Sequence, residues 1–284
     1  MSIFGMQPDY PNPPEIIRTH PWDMWMPPFR VAPHVYYASG NDWVSCFLID
    51  TGDGLAIIDT SHHELLYMLT ESVRILGFDP KDIKHILLSH EHADHCGGLR
   101  ALKEYSGAEV YMSKEGYDNM RRNPDFTYMP MEHFKMDFEP DHFYSDDEPI
   151  KIGSFTIRTQ LTPGHTPGVT SFFFEDIDED GTVYRCAMHG GMGLNAMKNV
   201  RLDQFGLPHS CRKRYIADLE KLANVPVEIC LPSHPRQTGI FEGLKYTKDN
   251  MDFRPFVDPQ VWPDLMNTMR ERAIKLDAQE SAKE

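Results

Sequence analysis

The chain has only five cysteines in 284 residues, Cys46, Cys96, Cys186, Cys211 and Cys230, an odd number without CxxC spacing. Reduced thiols are therefore expected rather than a disulfide framework. No apolar stretch approaches the length needed to span a bilayer, and the opening MSIFGMQPDYPNPPEIIRTHPWDMW lacks a basic segment followed by an apolar one. The expected location is cytoplasmic, or periplasmic or secreted if this is a mature form. Positive charge is scarce too: 28 Lys and Arg stand against 43 Asp and Glu, a formal net charge of -15. Such a field repels phosphate backbones, which counts against nucleic acid and anionic membrane as partners and favours small neutral or weakly charged substrates. A local cation could still attract an anion.

What is present suffices for a core: 40% hydrophobic and 11% aromatic residues. Residues 1–30 are rich in proline and aromatics without a period and read as an irregular arm, wrapping either the domain or a partner subunit in a homo-oligomer. Residues 31–284 read as one domain. VAPHVYYASG, WVSCFLID and GLAIIDT are short strands broken by Gly, Asn and Asp, as in an antiparallel meander. HHELLYMLTESVRILGF has helical spacing and is followed by the buried-strand run HILLS. GGLRALKEYSG (helix) and AEVYMS (strand) continue the alternation. After an irregular stretch at 117–148, the runs IKIGSFTIRTQL, VTSFFFED and TVYRCAMH supply further strands. RKRYIADLEKLANV (helix), VEICLPSH (strand) and a C-terminal helix over 259–279 complete the chain. The fold expected is α/β, an αβ/βα sandwich of two mixed sheets flanked by helices, with the site at strand ends.

The chemistry is concentrated in His90-Glu91-His92-Ala93-Asp94-His95, directly after HILLS. Four metal-ligand side chains within six residues are hard to explain as packing, because His and Asp are mostly exposed or specifically paired. Residues two apart in extended chain point the same way, so His90 and His92 converge on one ion while Asp94 and His95 turn toward a second. A catalytic zinc keeps a position open for water and takes about three protein ligands, so two more are needed. His165 in LTPGHTPG and His234 in ICLPSHP each follow a strand and are fixed by adjacent proline or glycine. A lone histidine at a strand end is more often a surface or capping residue, and it is the first motif that raises both above that.

HxHxDH, then GHTPG, then a late histidine resembles the metallo-β-lactamase superfamily over roughly residues 31–240, and SGNDWVSCFLIDTGDGLAIIDT with ILLSHEHADHCGG is similar to its β-lactamase branch. The third subclass of class B β-lactamases is the nearest resemblance. It implies one metal on His90, His92 and His165 and a second on Asp94, His95 and His234. The implied cofactor is a pair of divalent ions, zinc first, with iron or manganese open because the same ligands suit them. The implied reaction is attack of activated water on the carbonyl of a small-molecule amide, lactam, lactone or ester, with Asp94 orienting the water and accepting its proton. An iron oxidoreductase and a phosphodiesterase or nuclease are the alternatives. The dioxygen-reducing branch carries a carboxylate where this chain has His92, and the negative charge weighs against a nuclease. One departure concerns CAMHGGMGLN: many superfamily hydrolases have a bridging aspartate where His189 stands.

Other residues are more ambiguous. His189 could line the pocket, compete with His234 or be structural. Asn195 could donate to an oxyanion or close a turn. Asp59, in AIIDT, could hold a ligand imidazole by its second nitrogen or cap a turn. Asn41, Asp42 and Trp43 form a turn, with Trp43 able to overhang the metals and contact substrate. Met129, Met131, Phe134, Met136 and Phe138 suit ordinary burial or an adaptable lid. Cys96 reads as a small core residue, His62 and His63 as caps of the helix they begin, and Glu91 as pointing away from the ligands.

Overall fold

The computed structural model describes residues 13–127, 138–247 and 249–283. Its first sheet has seven strands in chain order: β1 (Phe29–Ala32), β2 (Val35–Tyr37), β3 (Phe47–Asp50), β4 (Leu55–Ile58), β5 (Ile83–Leu87), β6 (Glu109–Met112) and β7 (His142–Phe143). β1 to β4 form the antiparallel meander, and β4 to β7 run parallel. The second sheet comprises β8 (Ile150–Ile152), β9 (Phe155–Leu161), β10 (Thr170–Ile177), β11 (Val183–Met188) and β12 (Ile229–Cys230), with order β12-β11-β10-β9-β8. The helices are α1 (Pro13–Thr19), α2 (Leu66–Ile75), α3 (Ala93–Cys96), α4 (Leu99–Ser106), α5 (Lys114–Arg122), α6 (Asn199–Phe205), α7 (Cys211–Leu222), α8 (Ile240–Leu244) and α9 (Val261–Ser281).

Three apolar layers follow from the strand pattern. Between the sheets, Phe29, Tyr37, Phe47 and Ile58 meet Ile157, Phe172, Phe174 and Met188. The outer face of the first sheet, with Leu48, Ile57 and Ile86, is covered by Leu69 and Val73 of α2 and Leu99 and Leu102 of α4. The outer face of the second, with Phe173 and Ala187, is covered by Tyr215 and Leu219 of α7 and Trp262 and Met266 of α9. β4 is buried at all four residues because both its faces are covered, whereas β9 alternates buried and exposed. The expected αβ/βα sandwich of two mixed sheets is thus what the chain forms.

Two stretches expected to be irregular contain regular structure. Within residues 1–30, α1 starts on Pro13 and Pro14, in a first turn where a missing N–H costs no helical bond. Ile17 and Met24 then pack on Leu65 and Met68. Residues 1–12 lie outside the described residues. Within 117–148, α5 continues to Arg122 from an N-cap, Ser113, whose hydroxyl accepts a bond from the Gly116 N–H, and β7 adds an edge pair. Met129, Met131, Phe134 and Met136 lie outside the described residues, and Phe138 packs on the helix-covered face of the first sheet. Among the described residues, no helix is long and apolar enough to cross a membrane.

Candidate metal centre

The C-terminal ends of β4, β5, β9, β11 and β12 deliver Asp59, His90, His165, His189 and His234 to one edge of the sandwich. There the two sheets are stitched together, since the Thr170 N–H donates to the Ser89 carbonyl (2.9 Å) and the Ser45 N–H to that of Ser233 (3.0 Å). The edge is therefore rigid where the histidines leave it.

Two groups of ligand atoms converge. His90, His92 and His165 each offer a nitrogen, all within 4.8 Å of one another. In the second group, Nε2 of His95 lies 3.3 Å from Nε2 of His234, and Oδ2 of Asp94 lies 3.5 and 3.4 Å from those two atoms. A tetrahedral zinc with bonds of 2.0–2.1 Å has ligand-to-ligand edges of about 3.4 Å. His90 shares the edge of this second group, its ligand nitrogen also lying within 4.8 Å of those of Asp94 and His95.

Hydrogen bonds behind the ligands fix which nitrogen faces inward. Nδ1 of His95 donates to Asp59 (2.7 Å), Nδ1 of His234 to the Trp43 carbonyl (2.7 Å) and Nδ1 of His165 to the Gly193 carbonyl (2.7 Å). Each therefore turns an Nε2 lone pair toward the cluster. The Ser89 hydroxyl donates to Asp59 (2.6 Å) and so accepts from Nδ1 of His90 (3.1 Å), which leaves the buried Nε2 of His90 facing inward without a hydrogen-bond partner. Nε2 of His95 and of His234, with a carboxylate beside them, form a pocket of donor atoms suited to a cation. The donor set and its spacing fit divalent metal.

Protonation states agree. Burial, reinforced by the other imidazoles, pushes His90 well below its ordinary value; burial, reinforced by His165 and His95, does the same to His92. Burial also lowers His234, and it lowers His165 to about 4. These rings are neutral at pH 7, with Nδ1 of His92 lying 2.9 Å from Nε2 of His165. Burial raises the Asp94 carboxyl, but His95 and His234 outweigh it and hold the group ionised, far below the usual carboxylate range. Burial opposes charge on His95, yet Asp94 and Asp59 raise it.

Asp59 is where a group holding a ligand imidazole was expected. It is fully buried, accepts from His95, the Ser89 N–H (2.7 Å) and the Ser89 hydroxyl, and has a left-handed backbone with φ of 66°. Ser61, two residues on, is left-handed as well at 62°. Two such non-glycine residues cost of order 1–3 kcal/mol each, a strain typical of functional loops. Trp43 also reaches the site, its ring stacked on His62 at 5.0 Å and 6.0 Å from that of His234. His189 is buried but outside both ligand groups. Its Nδ1 accepts from the Gly191 N–H (3.3 Å), its ring meets Tyr215 edge-on, and His234 rather than His189 stands beside Asp94 and His95. Asn195 is exposed and opens a turn through residue 197, its carbonyl accepting from Lys198.

The sequence reasoning overlooked Ser89 and read His62 only as a helix cap. Ser89 precedes the motif directly, a position that could have drawn notice. His62 occupies the N-cap position but makes no side-chain capping bond; it is buried against Trp43, close enough to Asp94 to feel its charge. Its place four residues beyond the end of β4 was the available signal. The GGMG run packs against the His165 and His90 rings. A Cβ on Gly191 would lie 2.9 Å from the His165 ring and 3.4 Å from that of His90.

The profile of the metallo-beta-lactamase superfamily matches residues 40–234. The chain belongs to that superfamily. Among solved structures, BJP-1, a subclass B3 metallo-beta-lactamase of Bradyrhizobium japonicum, superposes with a TM-score of 0.81 at 23% identity, covering 92% of this chain and 97% of that one. The hydroxyacylglutathione hydrolase of Rhodospirillum rubrum is 27% identical over 228 residues, 80% of this chain and 69% of its own. Glyoxylase B2 of Dictyostelium discoideum is 28% identical over 199 residues, 68% of this chain and 64% of its own. The matched part spans 61%, 46% and 56% of the length of three further curated relatives, about half.

Proposed function

We propose that this chain is a metal-dependent hydrolase that opens an amide, lactam, lactone or ester bond in a small molecule. His90, His92 and His165 would hold one divalent ion, and Asp94, His95 and His234 a second, with zinc the first candidate. The observation that carries the reading is the convergence of Asp94, His95 and His234 at 3.3–3.5 Å with both imidazole lone pairs facing inward.

When bound, the metal pair supplies a lowered pKa for water and polarisation of the scissile carbonyl. The protein's share is orientation and proton handling. Asp59 and the Trp43 carbonyl hold His95 and His234 in the tautomers that leave Nε2 free. Asp94, ionised, can orient the attacking water and take its proton. Trp43 supplies an aromatic wall, and His189 a buried imidazole beside His165, for substrate contact. The net charge of -15 supports a small substrate over a nucleic acid.

The test is metal content together with turnover of a chromogenic cephalosporin, an acyl-homoserine lactone, a thioester and a phosphodiester. About two zinc per chain and turnover of a carbonyl substrate are expected; a His90→Ala, His165→Ala variant should hold about one zinc fewer and lose turnover. Equal metal in wild type and variant overturns the ligand assignment, and turnover of the phosphodiester alone overturns the carbonyl substrate.

A further inference from the structure

Glu91 lies between the two ligands His90 and His92 and is wholly buried. No cation pairs with it among the described residues. Its carboxylate is kept by two neutral donors instead: the Asn119 side-chain amide donates to Oε1 at 2.8 Å and the Thr166 hydroxyl to Oε2 at 2.7 Å. Thr166 directly follows His165 and is itself buried. One side chain thus ties the loop carrying His90 and His92 to the loop carrying His165, 75 residues away.

The surroundings are built around this link. The Thr166 hydroxyl also accepts from the Gly168 N–H (3.2 Å), and the Ser113 hydroxyl donates to the Gly168 carbonyl (2.7 Å), which docks the second loop on the start of α5. Gly116 and Gly168 touch backbone to backbone over the carboxylate. A Cβ on Gly168 would lie 2.3 Å from Cα of Gly116 and 2.7 Å from Oε2 of Glu91. On the far side, the Asn119 side-chain Oδ1 accepts from the Asn123 side-chain amide (3.1 Å), which also reaches the Phe205 carbonyl (3.3 Å) at the end of α6. A buried carboxylate without a cation is costly, and side-chain packing alone would be better served by an apolar residue. What the carboxylate does that an apolar residue cannot is accept at once from Asn119 on α5 and from Thr166 on the loop that carries His165.

We infer that Glu91 is a positioning residue which, through Thr166, sets His165 against His90 and His92 and so assembles the first metal site. The inference rests on the metal-dependent reading of that cluster. Its reach is selective: the second group is held by Asp59, Ser89 and Trp43, none of which touches Glu91.

The test compares wild type with Glu91→Ala, Glu91→Gln and Thr166→Val by zinc competition titration, urea unfolding, and histidine side-chain NMR of the metal-free protein. Outer hydrogen bonds to metal ligands are commonly worth 10- to 100-fold in affinity. Glu91→Ala and Thr166→Val are expected to weaken one of the two zinc equivalents by about that factor and leave the other unchanged. Glu91→Gln recovers most of the loss, because the Thr166 hydroxyl can rotate to accept from the new amide. In the metal-free proteins, the resonances of His92 and His165 shift in Thr166→Val while those of His234 hold. Wild-type affinities in folded Glu91→Ala and Thr166→Val, a parallel loss of both equivalents with lowered stability, or a Glu91→Gln as impaired as Glu91→Ala would each overturn the inference. If wild type binds no zinc, the functional reading fails, and the NMR shifts still decide whether Glu91 and Thr166 set the histidines.

Discussion

Asp59 and His95 share a 2.7 Å hydrogen bond with neither side chain exposed to solvent. The bond sets the tautomer of His95 and makes its inward nitrogen more basic, so the charge of Asp59 is felt at the second ligand group. Asp59→Asn removes the charge where asparagine tolerates the left-handed backbone at φ of 66°, and its single acceptor oxygen cannot serve both His95 and the Ser89 N–H. The expected result is an about 10- to 100-fold loss of affinity for one zinc equivalent with little change in fold. A titration in which both equivalents bind as in wild type rejects the coupling.

The glycines of the 190–193 loop lead to a steric prediction. Gly191→Ala places a methyl 2.9 Å from the His165 ring and 3.1 Å from Val169. Overpacking of this kind costs roughly 1–3 kcal/mol, and here the ring that must yield is a ligand. Weakened binding at the His90, His92 and His165 group is expected. Gly52→Ala serves as the control: its φ of +77° strains any side chain, nothing stands within 4 Å, and it lies away from the cluster. It should lower stability and leave zinc affinity alone. Calorimetric titration beside urea unfolding separates the two, and equal zinc affinities in both variants reject the proposed contact.

Much of the fold and of the candidate histidine cluster was legible because it depends on local pattern. Strand patterning located the strands except the edge strand β7, and helical spacing located α2, α4, α7 and α9 but not the shorter helices; the six candidate ligand residues announced themselves by type and by position at strand ends. What was not legible depends on residues brought together across the chain. Glu91 gains its partner from residue 166, and His62 is given meaning by Trp43. Asp59 could be read as ligand support or as a turn cap until His95 was seen against it. The prolines at 13 and 14 read as breakers because proline forbids helix interiors, yet it suits a first turn.

Acid should destabilise the metal-free chain before its carboxylates titrate. Burial holds His189 at about 3, and His62 and His165 at about 4, against an ordinary value of 6.5. Between about 4 and 6.5 the unfolded chain binds protons at these positions and the folded chain does not. Stability therefore rises with pH across that window and falls as the solution is acidified from pH 7. His95, raised by Asp94 and Asp59 against its burial, acts in the opposite sense but is one ring against several. Urea midpoints of chelator-treated protein at pH 7, 6 and 5 should decline in that order, and a flat series contradicts the buried neutral rings.

Trp43 offers a way to separate substrate contact from metal support, because its backbone and its ring do different work. The carbonyl accepts from His234, while the indole stacks on His62. The turn is held independently of the ring: Asn41 Oδ1 accepts from the N–H groups of Trp43 and Val44, both at 3.0 Å, and Arg236 pairs with Asp42 at 2.9 Å. Trp43→Ala should accordingly keep both zinc equivalents and raise KM about tenfold, ~1.4 kcal/mol of lost contact, with kcat little changed. A fall in zinc content with KM unchanged would instead make the ring a brace for His234, and the aromatic wall of the pocket would have to be sought elsewhere.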